Sequence, residues 1–196
     1  MPWQNAQQNF NNGATPNGEK KRTNFRVGRL YGSDGILDIS IWNSDSAVYT
    51  IFQIKQAIGK DPSTGANAYE QKAPNELPRI FMNLEFIRAF DEFVKIVDTS
   101  SNDQFRGTFT PRAGSKLTIE GSKSGSFKII LETDKLGTRT ITFNAIPVGD
   151  TNVNSAWKNI GDLIGICVKK ALYAKLDPEE FATAIGAAND GDEAPI

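Results

Sequence analysis

The sequence predicts an α+β fold in which a unit of four antiparallel strands and one helix is used twice, ββββα-ββββα, with the helices packed on one side of the sheets. Two observations carry this. In two successive stretches the apolar period changes from two to 3.6 after a fourth strand-like run, and the runs are separated by clusters of Gly, Asp, Asn and Ser. A chain of 196 residues is long enough to bury one good core or two small ones.

Residues 1–23 are rich in Asn, Gln and Gly, carry the isolated aromatics Trp3 and Phe10, and end in the basic cluster Glu19-Lys20-Lys21-Arg22. They bring too little apolar surface to offset the entropy of ordering, so a flexible arm is expected. Residues 24–176 are expected to form one domain, with repeats at 24–97 and 105–176. In the first repeat Phe25, Val27 and Arg29 alternate with Arg26 and Gly28. Leu37, Ile39 and Ile41 alternate with Asp38, Ser40 and Trp42; Val48, Thr50, Phe52 and Ile54 alternate with Tyr49, Ile51, Gln53 and Lys55. These are three half-buried strands, broken at YGSDG (31–35) and NSDS (43–46) by residues that tight turns favour. A long polar loop (59–76) precedes a fourth strand, PRIFMN (78–83). LEFIRAFDEFVKIV (84–97) then places Phe86, Ile87, Phe90, Phe93, Val94 and Val97 on one face of an amphipathic helix.

The order repeats in QFRGTFT (104–110), SKLTIEG (115–121), SFKIILET (126–133) and GTRTITFNAI (137–146), four strands separated by turn formers. A helix over 155–176 turns Trp157, Ile160, Ile164, Cys167, Val168 and Ala171 inward, with Gly161 and Gly165 expected to permit a close approach. DPEEF (177–181) reads as the start of a short helix over 177–186, and residues 187–196 read as a disordered acidic tail.

Composition narrows the chemistry. There is no histidine, which removes the commonest general base and the commonest zinc ligand and excludes Ser-His and Cys-His hydrolases. The single cysteine, Cys167, lies within an apolar helical pattern and reads as a core thiol. Neither an enzyme nor a cofactor is expected. No stretch approaches the ~20 apolar residues of a membrane helix, and the start lacks the apolar core of a signal peptide, so the expected location is a cytoplasm, that of the host if the protein is viral. The net charge of −1 conceals a division: residues 1–176 hold all 22 Lys and Arg against 17 acids, whereas residues 177–196 hold six acids and no base.

Function should then sit on the strand faces turned away from the helices. That side is predicted to carry Arg26, Trp42, Tyr49, Gln53, Lys55, Arg106, Thr108, Lys116, Thr118, Lys128, Thr140, Thr142 and Asn144. Rings, cations and hydroxyls on an open sheet suit single-stranded nucleic acid, since rings stack on bases while Lys and Arg follow the phosphates. Arg29, Arg112 and Lys123 join the candidate set, as do Lys60, Tyr69 and Lys72 of the 59–76 loop, which is long enough to be a flap over a bound strand.

The order of elements over about residues 24–175, most closely at PRIFMNLEFIRAFDEFVKIV, resembles the Positive Cofactor Four and Whirly family of single-stranded DNA-binding proteins. The resemblance implies a Whirly-like fold whose sheet faces and hairpins hold an unwound strand with little sequence specificity. The Lys-Gly-Lys motif of plant Whirly proteins is missing; VKKAL (168–172) falls in the final predicted helix. The terminal AANDGDEAPI resembles the end of bacterial and phage single-stranded DNA-binding proteins: a flexible lead, an acidic cluster, a proline and an apolar last residue. By that resemblance Asp190, Asp192, Glu193, Pro195 and Ile196 form a peptide that recruits replication or recombination proteins, although the family usually ends in Phe rather than Ile. The size and the Asn/Gln-rich arm suit a bacteriophage protein, and open sheet edges suit a homo-oligomer.

Three rivals remain at this stage. A virion or adaptor component would pair the same sheets between subunits without nucleic-acid affinity. An oligonucleotide-binding barrel would keep the function on five strands. A metal-dependent nuclease would use Glu120 and Glu132 near Lys123 and Lys135.

Overall fold

The computed structural model describes residues 23–44 and 47–173. It is an α+β structure of two antiparallel sheets, a small ribbon and two helices. The first sheet contains β1 (Thr23–Tyr31), β2 (Gly35–Ser44), β3 (Ala47–Lys60), β4 (Asn67–Tyr69) and β5 (Arg79–Met82), in the order β1-β2-β3-β4 with β5 also paired to β3. The helix α1 (Leu84–Thr99) follows. The second sheet is the meander β6 (Gln104–Arg112), β7 (Ser115–Ser122), β8 (Phe127–Thr133) and β9 (Gly137–Phe143). The ribbon β10 (Ile146–Val148) and β11 (Thr151–Val153) leads into α2 (Ser155–Tyr173).

One core joins all these layers. Ile39, Phe52, Ile54, Ile80 and Met82 of the first sheet, Leu117, Ile119, Ile129 and Ile141 of the second, and Ile87, Phe90, Ile160 and Ile164 of the helices are fully buried in a single apolar cluster. The predicted inner faces of both helices are present: Phe86 and Phe93 are half-buried against the core, and Trp157, Cys167 and Ala171 are buried in α2. Burial pushes the Cys167 thiol up to about 12, partly offset by the Thr50 hydroxyl beside it, so it stays protonated at neutral pH. Gly161 does face α1, since a Cβ there would lie 3.2 Å from Val94; Gly165 faces open space, and the expected close approach is absent there.

The helix ends explain several polar residues. Asn83 caps α1 by accepting the Phe86 amide at 3.1 Å. At the other end the Lys123 ammonium donates to the carbonyls of Val97 and Ser100, at 2.9 and 2.7 Å, a cation placed on a helix C-terminus. Trp157 then links the helices by donating its indole N–H to Asp98 at 2.6 Å.

Among the described residues, side-chain and turn hydrogen bonds tie the sheets at two points. The predicted YGSDG turn docks on the outer edge of β9, where the Ser33 amide donates to Thr142 O and Asp34 accepts the Thr142 amide, at 2.8 and 2.9 Å. This occupies backbone groups that a free edge strand would leave unpaired. Arg139 of β9 reaches Gln56 at 3.0 Å and Glu70 at 3.3 Å.

Three details differ from the pattern read in the sequence. The 59–76 loop holds strand β4 and a one-turn 3-10 helix (Pro74–Glu76), because the 14-residue β3 outlasts β5 and offers its far end to a second short partner. The strand predicted over 137–146 ends at Phe143, and Ile146 opens the separate ribbon. Strand β3 is not half-buried: Ile51 and Gln53, on the face away from the helices, are buried as well as Thr50, Phe52 and Ile54. The 70–78 segment crosses that face, with Gln53 donating to Pro74 O at 2.8 Å. The arm up to residue 22, the short helix at 177–186 and the acidic tail lie outside the described residues.

Candidate nucleic-acid interface

Strand register decides which side chains share the face of the first sheet opposite the helices. Trp42 lies opposite Tyr49, Ser40 opposite Ile51, Asp38 opposite Gln53 and Ile36 opposite Lys55. On β5, Phe81 faces Ile51 and Arg79 faces Gln53. On β1, Arg26 lies opposite Ser40 and Arg29 opposite Asp38, because the strand carries an extra residue between Arg26 and Gly28. A regular strand would alternate and send these two arginines to opposite sides. The bulge brings both to the same face. Gly28 points the other way, where a Cβ would collide with Leu163 of α2.

The rings on this face form a connected run. Trp42 stacks on Tyr49 with centroids 5.9 Å apart and planes inclined by 22°, and Tyr49 meets the edge of Phe81 at 6.3 Å. Two guanidinium groups stand over Phe81, that of Arg79 at 5.4 Å and that of Arg112, at the end of β6, at 5.5 Å. A second aromatic pair, Tyr31 and Tyr69 at 6.5 Å, lies toward the other end of β3, about 20 Å away at ~3.3 Å per residue over six residues. Between the two lie Arg26 and Arg29, which share one carboxylate: Arg29 Nε donates to Asp38 at 2.7 Å, and Arg26 approaches it at 3.8 Å. Two cations on one anion leave the centre of the face positive. Lys55 is half-buried on the same side, with no ion pair among the described residues.

The second sheet offers a different outer face. Arg106 and Lys128 both pair with Glu120, at 3.1 and 2.8 Å, and Lys116 pairs with Glu132 at 2.6 Å. The Thr108 and Thr118 hydroxyls meet at 3.3 Å. No ring stands on this surface among the described residues: the aromatics of these strands, Phe105, Phe109, Phe127 and Phe143, turn into the core. Glu120 and Glu132, weighed as nuclease ligands, are engaged by these cations.

Of the residues predicted to bind, the structure brings together Arg26, Arg29, Trp42, Tyr49 and Lys55, adds Tyr69 through Tyr31, and adds Arg112 from the other sheet. It separates Arg106, Lys116 and Lys128, which balance acids on the second sheet. Lys60 ends β3 beside Asn67, and Lys72 pairs with Glu70 at 3.8 Å. Lys123 caps α1 instead of facing solvent with the others. Arg79, Phe81 and Tyr31 were missed. The signal for Arg79 and Phe81 was available in PRIFMN, where they alternate with the fully buried Ile80 and Met82.

Two carboxylates give the second sheet an acid dependence. The Lys128 ammonium is the largest influence holding Glu120 below the usual carboxylate range, and the Ser122 hydroxyl, followed by the Ser124 amide, does the same for Asp103. A carboxylate whose folded pKa is depressed stabilises the fold above its unfolded value, and that stabilisation is lost as pH falls through the folded value. The melting temperature should therefore be flat near neutrality and fall below about pH 4. Glu120→Gln should melt lower than the parent at pH 7, with the two converging as the pH drops; parallel curves down to pH 2.5 would remove Glu120 as a cause.

The chain matches no family model and no curated protein at a significant level. No described helix is long and apolar enough to cross a membrane.

Proposed function

We propose that the protein binds single-stranded DNA with little sequence preference along the outer face of its first sheet, protecting the strand during replication or recombination. The observation that carries this reading is the run Trp42–Tyr49–Phe81 flanked by Arg26, Arg29, Arg79 and Arg112. Every base has a π face, so stacking at about 1–3 kcal/mol per base suits any sequence, and guanidinium groups beside the rings meet the phosphates. The Tyr31–Tyr69 pair is a second stacking station along the same face. The element order, strands then a helix, twice, supports likening the fold to a duplicated unit of the Positive Cofactor Four and Whirly kind, although the first sheet has five strands and a ribbon precedes α2. Residues 187–196 are the proposed recruiting peptide, whose acids compete with the phosphates for the same cations.

The test is a fluorescence-anisotropy titration at low salt, with Trp emission followed in parallel, on the full chain and on a chain truncated after Ile185. Oligo-dT should bind in preference to duplex, quench Trp emission and bind more tightly to the truncated chain. Equal affinity for oligo-dT and duplex would remove the single-strand reading, and an unchanged affinity after truncation would remove the competing role of the tail. The assembly reading has one observation in its favour, the exposed aliphatics Ile146, Val148 and Val153 of the ribbon. It predicts salt-insensitive self-association and no binding in the same titration.

A further inference from the structure

We infer that the cleft beyond Phe81, between β5 and the β6–β7 and β8–β9 turns, is a pocket for a phosphate-ended nucleotide, with the phosphomonoester between Arg79 and Arg112 and the base against Phe81. The inference deepens the strand-binding reading and takes its setting from it, but names a subsite with a different chemical preference. The cleft has a volume of about 320 Å³ and is lined by Leu77, Arg79, Phe81, Arg112, Asp134 and Lys135 among others. That is at the small end of the ~300–1,000 Å³ range of small-molecule sites, suited to one nucleotide rather than a strand running through.

Charge argues for a phosphate with a free end. Arg79 and Arg112 come from different sheets and converge on one ring, at 5.4 and 5.5 Å, although like charges repel. The other arginines of the two sheets each have a carboxylate partner: Arg26 and Arg29 share Asp38, Arg106 pairs with Glu120 and Arg139 with Glu70. Among the described residues neither Arg79 nor Arg112 forms an ion pair, and the side-chain hydrogen bond of Arg112 is to the neutral Ser115 hydroxyl at 3.1 Å. Lys135 supplies a third cation. The acid in the lining, Asp134, has its carboxylate against Gly114, where a Cβ would collide with it. Three cations against one carboxylate leave a surplus of two charges. A phosphomonoester carries about −1.5 to −2 at pH 7, whereas a phosphodiester within a strand carries one charge. The surplus matches the former, and paired guanidinium forks hold such a group by parallel charged hydrogen bonds.

Phe81, half-buried, and Leu136, 44% exposed, give the same cleft an apolar side on which a base can lie. Phe81 also closes the run from Trp42 and Tyr49, so a strand stacked along the sheet reaches the cleft at its end. The shared ligand chemistry has two sources, the phosphorylated terminus of a strand or a free nucleoside monophosphate.

The test uses the full chain at moderate salt. Unlabelled oligo-dT of about 12 nucleotides, within the ~4–16 typical of single-strand sites, competes with a labelled probe, carrying a 5′-phosphate, a 3′-phosphate or hydroxyls at both ends. Calorimetry compares dTMP with thymidine. One phosphate-ended oligonucleotide should bind about tenfold more tightly than the hydroxyl-ended one. In Arg79→Gln/Arg112→Gln, shown by melting to be folded, that difference should shrink to within about twofold, whatever happens to the shared affinity. Equal affinity for all three oligonucleotides, with dTMP no better than thymidine, overturns the pocket and leaves strand binding standing. A phosphate preference that survives the double substitution also overturns it. Binding of dTMP that the double substitution abolishes, with no oligonucleotide bound, supports the pocket for the free nucleotide while the strand-binding reading fails.

Discussion

Trp42→Ala is expected to weaken binding of oligo-dT by a factor of about 5 to 150, the equivalent of the ~1–3 kcal/mol that one stacked base contributes. The ring is half-buried on the outer face of β2 and rests on Tyr49 at 5.9 Å, so it is braced from one side and open to a base on the other. In a chain that also carries Trp3→Phe, the same substitution should abolish most of the Trp quenching caused by DNA, because the remaining Trp157 is only 6% exposed and its indole N–H is bonded to Asp98. Tyr49→Ala should behave alike, since it removes the support between Trp42 and Phe81. Anisotropy at two salt concentrations separates stacking from charge: the affinity drops at both, while the slope against salt, set by the phosphates neutralised, stays as in the parent. An unchanged dissociation constant in folded Trp42→Ala would remove this sheet face as the interface.

Phe90→Ala carries the largest expected cost to the fold, about 3–5 kcal/mol against a total stability of ~5–15 kcal/mol. Phe90 is fully buried on α1 and touches rings from both sheets, Phe52 of β3 with centroids 5.8 Å apart and Phe109 of β6 at 4.8 Å. Its loss opens a cavity where the two sheets share one helix, and neither sheet can close it without moving against the other. Urea unfolding should show the midpoint falling with little change in slope. A cost below about 1 kcal/mol would mean that the site collapses around the missing ring. Binding by the folded fraction should be near that of the parent, because Phe90 lies on the core side of the sheet that carries Trp42.

The helices and most strands were legible because their signals are local. The spacing of Phe86, Ile87, Phe90, Phe93, Val94 and Val97 fixes the buried face of α1 without reference to the rest of the chain. Strands β4, β10 and β11 are three residues each, too short for alternation to stand out from a loop. The interface was legible in part. Trp42, Tyr49 and Lys55 follow from simple alternation, and Arg26 with them. The shared face of Arg26 and Arg29 depends on a bulge, and the contribution of Arg112 on a contact between sheets; neither leaves a periodic trace. Lys116, Lys123 and Lys128 show the converse. Alternation and charge identify exposed cations, but their partners, Glu132, the end of α1 and Glu120, are set by register and tertiary packing.

The bulge in β1 makes the parity of that strand matter as much as its residue identities. With Val27 as the extra residue, the interval from Arg26 to Arg29 turns both guanidinium groups outward while Gly28 leaves room for Leu163. Pairing the strand without the bulge, all residues kept, would preserve every charge and every ring in the chain, yet it would exchange the two sides of the strand from residue 28 onward. The basic character of this surface is therefore encoded partly in how the strand pairs, a property that comparison of amino-acid types position by position does not register.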